Sequence, residues 1–312
     1  MKIKVSLFCL FLSGNMLAQT DTISFLQVTD MHIMFNQAGY LPDLMKQREQ
    51  VRHYDQGEPR FRQFLKTIPE QTNSDMVIAT GDLCDFFEAQ TVDGRLLELQ
   101  PEQFSRLLSD YNIPVLSILG NHDAFTYNWR DGKLDPNQYF AGRARAAWIR
   151  NLSCFKDGTY YSKSYQVGKT PYRLIFLDNI FYSFDPEKNT EIPYVDKYQS
   201  EWLKNELRKS ENEIVIILMH IPFSDTVIQQ EVSNELYSIL TAGSSVKLIL
   251  AGHRHKNSVV RFPSGRNSQV VQVETGAFAQ DVNNWRQMKL TEDKIFVSFP
   301  GKTENEVNIS IK

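Results

Sequence analysis

The chain has 312 residues, 42% of them hydrophobic, with 20 Phe and a formal charge of −3. That length allows one large domain or two small ones around a sizeable core. The slight acidity excludes a broad basic field for nucleic acid or an anionic membrane, so a phosphate-bearing ligand would have to be held by local groups.

The first 18 residues differ from the rest. Lys2 and Lys4 lead into a mainly apolar run, residues 5–12, and smaller residues follow up to Ala18. This is the pattern of a cleavable export signal rather than of an anchor, because the run falls short of the roughly 20 apolar residues a span needs. Cleavage after Ala18 is expected, leaving residues 19–312 as one secreted or periplasmic domain with no stable membrane span. Bulky Leu7 and Phe8 before Cys9 argue against lipid attachment. Without Lys2 and Lys4 the chain keeps 32 basic against 37 acidic residues, a charge of −5. Cys84 and Cys154 are expected as two thiols rather than one disulfide, and neither is needed as a metal ligand.

Strand-like and helix-like segments then alternate. Residues 23–29 read as a strand ending at Asp30. Phe61, Phe64, Leu65 and Ile68 keep helical spacing. Residues 76–79 form a short buried strand ending at Gly81-Asp82, and Phe104, Leu107, Leu108 and Tyr111 mark a helix with Pro101 near its start. A third strand, 115–119, ends at Gly120-Asn121. Further strands are predicted at 173–177, 214–219 and 246–250, with helices at 197–210 and 232–240. Residues 259–260, 270–273 and 294–299 read as later strands with no helices between them. The fold class is α/β, with mixed sheets and helices outside.

Five of the six histidines sit in short clusters at the ends of these strands. The clusters are Asp30-Met31-His32, Gly81-Asp82-Leu83-Cys84-Asp85, Gly120-Asn121-His122-Asp123, His220, and Gly252-His253-Arg254-His255. Sites in open α/β sheets form beyond the carboxyl ends of strands. On extended backbone Asp30 and His32, two apart, would point to one side. Taken singly, Asp-x-His and Gly-Asp are also ordinary turn chemistry. Two imidazoles around Arg254, directly behind a buried strand, are harder to place as core histidines. Imidazole, carboxylate and amide gathered together make a donor set for a metal ion.

In order, the clusters resemble the motif series of the calcineurin-like metallophosphoesterase superfamily: D-x-H, G-D-x-x-D, G-N-H-[DE], H and G-H-x-H. The series spans residues 30–255, and every ligand-type position is filled. The resemblance implies a four-layer α-β-β-α sandwich of two mixed sheets, with a metal site at the C-terminal ends of the strands. It implies two divalent or trivalent ions, with Mn, Fe or Zn foremost. Asp30, His32 and His255 would hold one, Asn121, His220 and His253 the other, and Asp82 would bridge them. The implied activity is metal-dependent hydrolysis of phosphomonoesters or phosphodiesters, a hydroxide between the ions attacking phosphorus. His122 would protonate the leaving oxygen, Asp85 would orient it, and Asp123 would brace the loop.

Departures narrow the branch. Phe86-Phe87 follow Asp85, where protein serine/threonine phosphatases carry Arg-Gly. Asp85 stands where purple acid phosphatases place a tyrosine ligand. With 57 residues after His255, the large C-terminal domain of periplasmic 5'-nucleotidases is not expected. The chain is most similar to small single-domain members such as class III cyclic nucleotide phosphodiesterases, in residues 198–203 and 219–222 as well.

Substrate contacts are expected from two segments read as loops. Residues 36–59 hold Tyr40, Arg48, Arg52, His53 and Tyr54, with His53 read as a surface histidine. Residues 124–132 hold Trp129 and Arg130, an aromatic to stack and a guanidinium to clamp a phosphate oxygen. The expected partner is a small phosphoester, not a nucleic acid. One alternative is a catalytically weak metal-binding module on the same scaffold, which would have lost a ligand or His122. Another is a nuclease, which would need a basic groove.

Overall fold

In the computed structural model, residues 21–311 are described apart from 53, 266 and 267, with backbone alone for 50–52. The segment read as an export signal and His53 therefore lie outside the described residues.

Ile23–Val28 and Met76–Thr80 are buried at every position. Burial on both faces marks central strands of a sheet covered on both sides. They pair in parallel with each other, and Met76–Thr80 pairs in parallel with Val115–Ile118. The helices Gly57–Gln71 and Gln100–Ser109 make the crossovers and bury Phe61, Phe64, Leu65, Phe104 and Leu107. Trp285–Leu290, Lys294–Ser298 and Asn305–Ser310 extend this sheet antiparallel on the other side of Ile23–Val28. A second six-stranded sheet has Thr170–Phe176, Ile214–Leu218, Val246–Ala251 and Ser268–Glu274 in parallel at its centre. Tyr161–Val167 and Ser258–Ser264 are its antiparallel edges.

The second sheet divides its side chains by strand alternation. Leu174, Phe176, Ile216, Leu218, Leu248 and Leu250 join the apolar cluster that also contains Phe25, Val28 and the helices of the first sheet. Ile175, Leu177, Val215, Ile217 and Ile249 turn the other way, onto Leu203, Leu236 and Leu240 of the helices Lys197–Lys209 and Glu235–Thr241. Each such aliphatic side chain, fully buried, contributes about 1.5–3 kcal/mol. Gln27 ties the sheets together beneath the strand ends. Its amide donates to Thr80 Oγ1 (3.0 Å) and to the carbonyl of Ala251 (3.1 Å), and it accepts from Thr275 Oγ1 (2.8 Å).

Two segments read as loops are ordered elements. Residues 36–59 contain the helix Pro42–Arg52. Thr126–Arg130 pairs antiparallel with Lys133–Asn137 around Asp131-Gly132, a two-residue hairpin turn at positive φ. Glu88–Gln90 and Leu96–Glu98 complete a four-stranded sheet with this hairpin. A third apolar cluster, with Met34, Tyr40, Leu44, Tyr54, Phe86 and Tyr127, lies beneath, and Trp129 packs against it. Both segments are polar overall, and most of their apolar residues are covered in this third cluster rather than in the cores of the main sheets. No helix among the described residues is long and apolar enough to cross a membrane.

Candidate metal centre

Each cluster follows a parallel strand. Asp30 and His32 come after Ile23–Val28, Asp82 after Met76–Thr80, Asn121 after Val115–Ile118, His220 after Ile214–Leu218, and His253 and His255 after Val246–Ala251. The chain does not leave these strands in extended form. Asp30, His32, Asp82, His253 and His255 all have left-handed backbone, with φ of 51°, 44°, 48°, 72° and 54°. The pleat argument for Asp30 and His32 is therefore replaced by a turn argument: consecutive tight turns fold both side chains inward. The turns are laced together by backbone bonds from Asp30 N to Gly81 O (3.0 Å), His32 N to Asp82 O (3.0 Å) and Gly252 N to His220 O (3.1 Å).

The motif glycines allow that close approach. A Cβ on Gly120 would collide with the nitrogen and Oδ1 of Asp82, and one on Gly252 with Thr29 Oγ1 and Asp30 Oδ2. Gly120→Ala is expected to push Asp82 off its position, lowering activity about 5- to 150-fold through 1–3 kcal/mol of overpacking. Elemental analysis of the purified variant checks this, since full metal content would show that the loop gives way without consequence.

Donor atoms converge in two adjoining groups. In the first, His255 Nε2 lies 3.1 Å from Asp30 Oδ1 and 3.1 Å from His32 Nε2, and His32 Nε2 is 3.6 Å from Asp82 Oδ2. Ligand atoms of these four residues all fall within 4.8 Å of one another. In the second, Asn121 Oδ1 lies 3.1 Å from His220 Nε2 and 2.9 Å from His253 Nδ1, and His220 Nε2 is 3.3 Å from Asp82 Oδ2. Asp82 belongs to both.

The far nitrogens decide what these groups want. His220 Nδ1 donates to the Thr80 carbonyl (2.8 Å), His32 Nδ1 to Asp85 Oδ1 (3.1 Å), and His253 Nε2 to Glu191 Oε2 (2.9 Å). The other ring nitrogen of each imidazole therefore faces carboxylate and amide oxygens that are themselves acceptors. Such acceptor-rich contacts call for a proton or a cation. With no ion bound, burial works against a charge on His220, but Asp82 outweighs it and holds the imidazole up at about 9. Burial raises the Asp30 carboxyl, yet the His255 hydrogen bond and nearby imidazoles bring it to about 2. The contact distances, 2.9–3.6 Å, fall within the roughly 2.8–3.6 Å between neighbouring ligands of an octahedral or tetrahedral ion with bonds of about 2.0–2.2 Å. The donor set fits metal ions, whose binding would displace protons.

His122 stands beside these groups. Its Nδ1 lies 2.8 Å from the Asp85 carbonyl, 3.0 Å from Tyr127 Oη and 3.4 Å from Asp85 Oδ1. The nearest orienting acceptor is thus the Asp85 backbone, while its carboxylate sits closer to His32. The His122 backbone N–H donates to Asp82 Oδ1 (2.8 Å). Burial opposes charge on the His122 ring, but Asp82 and Asp85 raise its pKa. Asp123 is a brace: its carboxylate accepts from the N–H groups of Gly120 (2.8 Å), Leu83 (3.1 Å) and Cys84 (2.9 Å). Burial and the Asp82 charge push its carboxyl up to about 7. Cys84 and Cys154 are free.

A cavity of about 540 Å³ opens over the cluster, lined by Asp82, Asn121, His122, Phe125, Tyr182, Glu191, His253, Arg254, His255 and Gln280. Trp129 and Arg130 are not among its walls. Trp129 lies on the third apolar cluster, and Arg130 faces Asp135 on its own hairpin at 3.5 Å. Both sit beyond the point where the hairpin leaves the site. Sequence reasoning missed Glu191, Tyr182 and Gln280. Glu191 and Tyr182 come from a hairpin, Tyr182–Asp185 with Thr190–Pro193, and Gln280 follows the strand Ser268–Glu274. No periodicity marks them, and only the long-range pairing of His253 with Glu191 and of His255 Nδ1 with Gln280 (3.0 Å) reveals them.

The fold and site have relatives. A 3',5'-cyclic adenosine monophosphate phosphodiesterase from Haemophilus influenzae is 24% identical over 248 residues, 77% of this chain and 72% of that one. A dimetal phosphatase from Danio rerio shares the fold with a TM-score of 0.61 at 16% identity, over 93% of this chain and 99% of that one. GAP50, the anchor in the inner membrane complex of Plasmodium, superposes with a TM-score of 0.53 at 14% identity, over 94% and 90%. Residues 23–257 match the family model for calcineurin-like phosphoesterases. The chain belongs to the calcineurin-like phosphoesterase family and is a hydrolase of phosphoesters.

Proposed function

We propose that the chain is an exported, dinuclear metal-dependent phosphodiesterase acting on small phosphodiesters. Asp30, His32 and His255 would hold one ion and Asn121, His220 and His253 the other, with Asp82 shared. The observation that carries this reading is the convergence of all seven donors, with His32, His220 and His253 each tied back through the far ring nitrogen. Bound ions would supply Lewis acidity and lower the pKa of a water. The protein's own part is to hold that geometry and to offer the His122 proton to the leaving oxygen. Mn, Fe and Zn all suit a site of imidazole, carboxylate and amide.

The cavity walls favour a diester. Arg254 is the cationic side chain of Lys or Arg type among the described lining residues, and Glu274 Oε2 (2.8 Å) and the Phe223 carbonyl (3.1 Å) already hold it. Glu191 adds a carboxylate at the mouth. A phosphomonoester brings about two negative charges at neutral pH and a diester brings one, so the diester meets less repulsion. Similarity to the Haemophilus phosphodiesterase supports the same choice. Export rests on the pattern of residues 1–18.

The test is a rate comparison on metal-reconstituted protein, using bis-p-nitrophenyl phosphate and p-nitrophenyl phosphate. A higher kcat/KM for the diester is expected. A preference for the monoester would overturn the diester choice, and inactivity on both with every metal would overturn catalysis itself. That last outcome would favour the metal-binding module, although no ligand position and not His122 has been lost.

A further inference from the structure

Arg48 comes from the helix Pro42–Arg52, outside the motif series, yet it reaches the centre. Its Nε donates to Asp85 Oδ2 and its Nη2 to Asp85 Oδ1, both at 2.6 Å. This is the two-pronged geometry that only a guanidinium makes with a carboxylate. The Arg48 side chain is 13% exposed and Asp85 is fully buried. Two rings flank the guanidinium, with centroids of Tyr54 and Tyr127 each 5.2 Å from its central carbon. Those rings lead back to the histidines that Asp85 serves. Tyr54 stacks on His32 at 4.2 Å and 8°, and Tyr127 Oη lies 3.0 Å from His122 Nδ1.

We propose that Arg48 is a positioning residue: it clamps the Asp85 carboxylate shared by His32 and His122, and so aims the His122 ring at the leaving oxygen. The proposal rests on the hydrolase reading above. In the step concerned, a water oxygen bonds to phosphorus while the bond from phosphorus to the leaving oxygen breaks. That oxygen takes the proton from His122 Nε2 and departs as an alcohol, and the water's own proton passes to solvent. Without the clamp the Asp85 carboxylate, 3.4 Å from His122 Nδ1, and the carbonyl of the same residue, 2.8 Å from it, can shift together, and His122 loses its aim. A purely structural ion pair would make a different forecast, because its loss slows every substrate alike.

Leaving-group dependence separates the two. Removing one partner of a buried pair can unfold the chain, so Arg48→Gln has a companion, Arg48→Lys, which keeps the charge and loses the fork. Both are compared with the unaltered chain on aryl phosphodiesters running from 4-nitrophenyl to phenyl leaving groups. Melting temperature and metal content are measured on the same preparations. For Arg48→Lys we expect unchanged metal content, little change in KM, and a kcat loss on the order of tenfold for phenyl, part of the range that general acids supply. The loss for 4-nitrophenyl should be much smaller, so that log kcat falls more steeply with leaving-group pKa. An active unaltered chain with a variant of equal slope, whether slowed uniformly or not at all, overturns this proposal alone. Loss of metal in Arg48→Lys also overturns it, because Arg48 would then act on binding. An unaltered chain inactive on the whole series overturns the hydrolase reading and this proposal with it.

Discussion

Asp82→Ala is expected to bind neither ion and to lose at least about 10³-fold in turnover, the scale on which single electrostatic contributors to catalysis act. Among the described residues, Asp82 is the one whose carboxylate meets both donor groups, at 3.6 Å from His32 Nε2 and 3.3 Å from His220 Nε2. Its other oxygen accepts from the backbone of His122, so the same substitution also frees the loop that carries the acid. Losing Asp30 or Asn121 removes a donor from one group, whereas losing Asp82 removes a donor from both. Elemental analysis and a rate measurement on the same sample check this. Normal turnover, or two ions retained, would sink the shared-carboxylate model.

His122→Ala is expected to separate the two properties. Its ring meets His32 only edge-on, with centroids 4.6 Å apart, and is not one of the seven donors, so metal content should stay that of the unaltered chain. Turnover should fall by about 10²–10⁴, the usual contribution of a positioned acid. The loss should be greatest for substrates whose leaving oxygen most needs a proton. A variant with the normal rate on an alkyl or phenyl diester would remove His122 from the chemistry. One that lost its ions would make His122 part of the binding site.

The β-α-β-α-β order that carries Asp30, Asp82 and Asn121 was legible because the central strands are mainly apolar and the helices keep strict spacing, whereas Pro42–Arg52, Glu88–Gln90 and Leu96–Glu98 went unread. Asp30, Asp82, Asn121 and the histidines were legible because turn chemistry cannot by itself explain imidazoles in that order. Asp123 as a brace was legible for the opposite reason, since turn carboxylates commonly accept from neighbouring N–H groups. The pleat argument for Asp30 and His32 failed because it assumed that the strands continue, and backbone handedness is invisible in a residue pattern. Trp129 and Arg130 were attractive for their chemistry, but an Asp-Gly hairpin turns them away. The signal was present in Asp131-Gly132 and would have predicted two strands in place of a loop. Glu191 and Arg48 reach the centre only through tertiary structure, and each is one charged residue among many until the sheets assemble.

The left-handed turns at Asp30, His32, Asp82, His253 and His255 bear on engineering. Such backbone in residues other than glycine costs about 1–3 kcal/mol at each position. These five residues are thus among the least favourable local choices in the fold, kept there, on the proposed reading, by the ions they would bind. A selection for heat resistance carried out on metal-free protein would be drawn to them and rewarded for replacing them with glycine. It would then enrich sturdy chains that hydrolyse nothing. Stabilising this protein calls for withholding those five positions from any library, or for screening with ions present so that strain and function are weighed together.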